Sequence, residues 1–215
     1  MKTLLISFIF LFPAFCAKAQ HDLPDTLFPV ALQPVDTIAP GDAILKRVFC
    51  SLKDLPVCFF DTSDSYFDNK IWMAVKKDSF YIIYDPGLGT TESDKVEFMR
   101  VDFNGSGRLE LIIKWRAGWS HMCANYAMSS VSGGIKLIDP DKMEMIFDLQ
   151  THYSEHWEYS NKEENEGRQS NIEPEGDDHF DHPVFISKDK IRVSCSLKRN
   201  WSAMYMRKGD RLVKK

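Results

Sequence analysis

Beyond its first nineteen residues the chain has no run approaching the ~20 apolar side chains of a membrane-spanning helix, so no helical span is expected there. It also lacks a basic excess. Its 27 Lys and Arg stand against 31 Asp and Glu, which excludes a general nucleic-acid-binding surface. No Gly-x-Ser-x-Gly elbow occurs, so Ser120 beside His121 has no serine-hydrolase frame around it. Cysteine is sparse as well: Cys50, Cys58, Cys123 and Cys195 are the four beyond Cys16. An even set in an exported chain permits two disulfides in any of three pairings. The short loop between Cys50 and Cys58 favours that pair, while Cys195, on the apolar face of an alternating stretch, reads equally well as a buried thiol.

What is present begins with an export signal. Lys2 precedes the apolar stretch from Leu4 to Phe15, and Ala17-Lys18-Ala19 has the small-x-small pattern of a signal-peptidase site. Residues 1–19 are therefore read as a signal peptide, which places the mature protein in a periplasm or outside the cell. Removing Lys2 and Lys18 leaves 25 basic against 31 acidic side chains, a net charge of −6.

Residues 20–41 carry Pro24, Pro29, Pro34 and Pro40 with little periodicity, and predict an extended tether. Residues 42–215 form one β-rich domain. Asp42 can cap a short amino-terminal helix whose apolar residues Ile44, Leu45, Val48, Phe49 and Leu52 recur at three and four, with Pro56 as its limit. Alternation then predicts strands over 58–60, 71–75, 80–84, 96–103 and 109–115, and again over 184–186, 191–197, 203–206 and 212–213. Between 135 and 149 the alternation of Met143, Met145, Phe147 and Leu149, with a turn at Pro140-Asp141-Lys142, predicts a hairpin. The fold class expected is all-β, a mostly antiparallel sheet assembly, partial-propeller or sandwich-like, with one short amino-terminal helix.

Charge is unevenly spread. Residues 162–182 hold eight acids, two bases and few large apolar side chains, and predict a mobile acidic loop spanning about 160–182. From Lys188 onward ten basic residues face only Asp189 and Asp210, a pattern read as solvated strand faces.

The most specific local pattern is Val101-Asp102-Phe103-Asn104-Gly105-Ser106-Gly107-Arg108-Leu109-Glu110-Leu111. Asp102, Asn104 and Ser106 can turn side-chain oxygens toward one centre, Arg108 can offer its carbonyl, and Glu110 can close the shell, the alternation that hard cations select. The stretch resembles the Asp-x-Asn-Gly-Asp-Gly calcium loop of FG-GAP and VCBS-type repeats, over about residues 101–112. The resemblance implies a structural calcium ion, bound weakly, roughly millimolar to sub-millimolar, because Ser106 replaces an acid. No second copy of the loop occurs, so a complete propeller of such repeats cannot be built from this chain.

Three further constellations carry chemistry. His152-Tyr153-Ser154-Glu155-His156 matches the His-x-x-Glu-His order of inverted zincins, which on a helix would make a metal-dependent hydrolase, although the surrounding alternation predicts strand. Asp177, Asp178, His179, Asp181 and His182 could collect a divalent ion within the acidic loop. Gly118-Trp119-Ser120-His121 reads as an exposed loop beyond a core strand, with Trp119 as a flat contact for a ligand. The function expected is a non-catalytic, exported binder of a protein or glycan at the cell envelope. The alternatives are the hydrolase using His152, Glu155 and His156, and a protein resembling calcium-containing periplasmic inhibitors of cell-wall hydrolases.

Overall fold

The structure is a computed structural model that describes residues 23–53, 55–62, 70–88, 95–123, 126–159, 176–194 and 202–215. For residues 119, 121–123, 126–128, 155, 157–159 and 176–181 it describes the backbone alone. The expected signal peptide lies outside the described residues.

The described chain opens with three short strands, β1 (Thr26–Leu27), β2 (Val30–Ala31) and β3 (Pro34–Ile38). A 3-10 turn, Ala43–Arg47, leads into β4 (Val48–Ser51), β5 (Val57–Asp61), β6 (Ile71–Lys76) and β7 (Tyr81–Tyr84). A second run holds β8 (Val96–Val101), β9 (Glu110–Cys123), β10 (Tyr126–Asp139), β11 (Glu144–Tyr159) and β12 (Gly176–Asp181). The last holds β13 (Val184–Ser187), β14 (Lys190–Val193), β15 (Ala203–Lys208) and β16 (Arg211–Lys214). Each run is an antiparallel meander, so strands adjacent in sequence are adjacent in space and the all-β class follows directly.

The three sheets pack face to face with the second in the middle. Alternation on β9 sends Leu111 and Ile113 into one core with Val57, Phe59, Met73 and Val75 of the first sheet. Ile112, between them, enters the other core with Ile191, Val193 and Tyr205 of the third sheet. A strand buried on both faces loses the polar half of its alternation. The apolar run Leu111 to Ile113 in the sequence is the trace of that double burial.

Residues 20–41 are extended, as their prolines predict, but the described part is stitched to all three sheets. β1 pairs with β16, β2 with the start of β11, and β3 with β7. Tyr205 donates its hydroxyl to the Pro24 carbonyl at 2.8 Å, and Leu32 N–H bonds the Met143 carbonyl at 2.8 Å. Leu23 and Leu27 pack on the second core and Leu32 on the first. The segment is thus a strap across the stack rather than a free tether.

Two other expectations change. The helix at Asp42 is only the 3-10 turn Ala43–Arg47, with the Asp42 carboxylate accepting from Ile44 N–H at 3.0 Å. Val48 and Phe49, whose β-branched and aromatic side chains suit a pleated surface, leave it with Cys50 for β4. Cys50 and Cys58 are free thiols rather than a disulfide. Cys50 stands opposite Phe59 and packs in the inner core, whereas Cys58, one residue on, faces the outer cluster with Phe60 and Trp72. The two sulfurs lie on opposite faces of the sheet, and burial raises both thiols.

Candidate cation-binding loop

The loop with alternating oxygens joins β8 to β9, its base closed by the pair Val101 and Glu110. Phe103, fully buried, anchors it in the second core. Gly105 and Gly107 take φ values of +69° and +81°, conformations that a side chain disfavours. The third sheet grips the loop from the other side. Asp189 N–H bonds the Phe103 carbonyl at 2.8 Å, Arg207 reaches the Asn104 carbonyl at 3.4 Å, and Lys188 lies where a Cβ on Gly105 would sit.

Inside the loop the predicted ligands interlock. The Asp102 carboxylate accepts from Gly107 N–H at 3.1 Å, Asn104 Oδ1 from Ser106 N–H at 2.8 Å, and Ser106 Oγ from Arg108 N–H at 3.2 Å. Glu110 is 2 % exposed and accepts from Phe103 N–H at 2.8 Å. Burial pushes its carboxyl above the ordinary glutamate range; the N–H groups of Phe103, Glu110 itself and Asn104 pull it back, and neighbouring Asp139 pushes it further up. The second oxygen of Asp102, Oδ1, is buried with no hydrogen-bond partner among the described residues. A buried acceptor left unmatched costs about 1–3 kcal/mol, so this atom is the open valence of the loop.

Asp139 and Asp141, on either side of Pro140 at the β10–β11 turn, line an open depression of about 400 Å³ with Asn104, Ser106 and Glu110. Asp139 is buried and caps its own turn, accepting from Asp141 N–H and Lys142 N–H at 3.0 and 3.1 Å. The Asp-Pro-Asp spacing was the available signal, but only the packing of the β10–β11 turn beside the β8–β9 loop brings it to Glu110. Among the described residues no three Asp, Glu, His or Cys side chains converge on one point. A cation at the loop therefore has to draw on amide, hydroxyl and carbonyl oxygens as well as carboxylates. The donor set of Asp102, Asn104, Ser106, Arg108 and Glu110 fits that requirement for a hard ion.

The other candidate residues are dispersed. Gly118-Trp119-Ser120-His121 is not a loop but part of β9, with Trp119 opposite Ser130; its ladder bonds to β10 hold the chain extended well past the core. The Trp119 side chain lies outside the described ones. His152, Glu155 and His156 stand on β11. On a strand the two histidines share a face about 13 Å apart. A zinc ion reaches only ~2 Å to each nitrogen, so the His-x-x-Glu-His order cannot form its helical site here. His152 instead meets Arg116 at 3.3 Å. Residues 176–181 of the acidic segment form β12 against β11 rather than loop, and residues 160–175 lie outside the described part.

No protein-family model, no curated protein and no solved structure matches the chain.

Proposed function

We propose that the loop 102–110 holds a calcium ion through the side chains of Asp102, Asn104, Ser106 and Glu110 and the Arg108 carbonyl, and that the ion is structural. The observation that carries this is the buried, unpartnered Asp102 Oδ1 in a loop whose other oxygens are already ordered. Calcium would neutralise Asp102 and Glu110, the two charged ligands of the loop. Since Phe103, Asn104 and Gly105 also touch the third sheet, an ordered loop fixes the seam between the second and third sheets. Affinity of the extracellular-module kind, roughly 0.1–1 mM, follows from two charged ligands.

The calcium-braced stack is an exported, non-catalytic scaffold for binding a protein or glycan at the cell envelope. Supporting this is the length of the second sheet: among the described side chains, Trp115, Ile135 and Leu149 are the core-packing residues nearest the far end of β9, β10 and β11. From there β9 continues for roughly eight residues, about 27 Å, and carries Trp119 on that extension. The test is calorimetric titration of calcium into protein lacking residues 1–19. One site lost in Asp102→Ala and kept in Trp119→Ala is expected; absence of a site, or an unchanged site in Asp102→Ala, contradicts the reading.

A further inference from the structure

The third sheet buries one face against the second core, and among the described residues its other face is open. Strand alternation puts Phe185, Lys190, Arg192, Met204 and Lys208 on the open side, since Ile191, Val193, Ala203 and Tyr205 between them are buried. The register sets Phe185 opposite Arg192 and Arg192 opposite Met204, so one guanidinium lies between two apolar side chains that are 62 % and 39 % exposed. In the next row Lys190 stands opposite Met206. No Asp or Glu belongs to this face among the described residues. The two carboxylates of this part of the chain turn the other way: Asp189 approaches the inward Arg207 at 4.0 Å, and Asp210 lines a small cavity beside Glu110. Among the described residues, none of Lys190, Arg192 and Lys208 makes an ion pair.

A chain with net charge −4 thus gathers unpaired cations and wet apolar groups on one sheet face. Like charge disfavours a second copy of the same face as its cover. Cations alone suit any polyanion, but Phe185 and Met204 on either side of Arg192 need an apolar layer beneath an anionic one. That combination is found at a phospholipid surface, where basic side chains meet phosphates and apolar ones enter the headgroup–acyl boundary.

We propose that the open face of the third sheet docks on an anionic phospholipid bilayer. The test is co-sedimentation of the protein lacking residues 1–19 with vesicles of phosphatidylcholine, with and without phosphatidylglycerol. Binding to the anionic vesicles only, weakening with salt, is expected. Lys190→Gln and Arg192→Gln should each lower partitioning by roughly fivefold, and Phe185→Ala should lower it at unchanged charge and unchanged melting temperature. Equal binding to neutral vesicles or no binding overturns the proposal. So does full binding by Phe185→Ala, or retention on a heparin column without vesicle binding, which would assign the face to an acidic polysaccharide.

Discussion

Gly134 offers a sharp test of how the second sheet is packed. It stands on β10 opposite Trp115 of β9, beside a break in register with β11. A Cβ added there would lie 2.6 Å from the Trp115 indole nitrogen and 2.8 Å from the Leu149 carbonyl oxygen. The indole packs in the first core and the carbonyl belongs to the neighbouring strand, so neither can move freely. Overpacking of this kind costs about 1–3 kcal/mol. Against it, alanine restricts the unfolded chain, a gain of about 0.4–1 kcal/mol where the backbone is compatible, and Gly134 is not at positive φ. The net for Gly134→Ala is a loss of about 1–2 kcal/mol, or roughly 2–8 °C in a chain of this size. Gly118, on the same sheet, is the control: a Cβ there finds nothing nearer than the Ser130 carbonyl at 3.5 Å. Gly118→Ala should keep the entropic gain and match or exceed the wild-type melting temperature. Thermal melts followed by circular dichroism decide it, and two variants that shift alike, or a Gly134→Ala protein as stable as wild type, would refute the packing described.

Glu110 gives a pH signature. Because its carboxyl is raised in the folded state, chiefly by burial, the native protein binds that proton more tightly than the unfolded chain. Calcium-free stability should then fall as pH rises from below the ordinary glutamate range through the raised value. Glu110→Gln should flatten this part of the pH profile of the melting temperature; parallel profiles would speak against it. The strap is tested by Tyr205→Phe, which removes the 2.8 Å bond to Pro24 and should cost about 1 kcal/mol in urea unfolding near neutral pH. Burial pushes the Tyr205 hydroxyl up to about 12, so wild type should lose stability between pH 10 and about 12 that Tyr205→Phe does not lose. Identical alkaline profiles would place that hydroxyl in water.

Strands with strong local alternation were readable directly. β5, β6 and β8 fall within two residues of where their patterns put them, and the β10–β11 hairpin turns where expected, although its strands run nine to ten residues beyond the predicted 135–149. Readings failed where a distant partner decides. Thr26–Leu27 is too short to announce a strand and becomes one only because β16, at the far end of the chain, accepts it. Val48 to Cys50 fit a helical repeat equally well until β5 offers a ladder. The separation of Cys50 from Cys58 by one sheet thickness depends on register, which neither count nor spacing encodes. For the loop, the sequence supplied every donor within it, since all come from one turn. It could not supply Asp139 and Asp141, brought beside Glu110 by tertiary packing, nor the orphaned oxygen of Asp102.

The most direct measurement is the melting temperature of the protein lacking residues 1–19, in chelator and in calcium at about ten times its dissociation constant. Binding to the native state alone should add about 1.4 kcal/mol, a rise of roughly 3–6 °C, and Asp102→Ala should abolish the rise while melting near the wild type in chelator. A melting temperature indifferent to calcium, or the same rise in Asp102→Ala, would contradict a calcium ion at this loop.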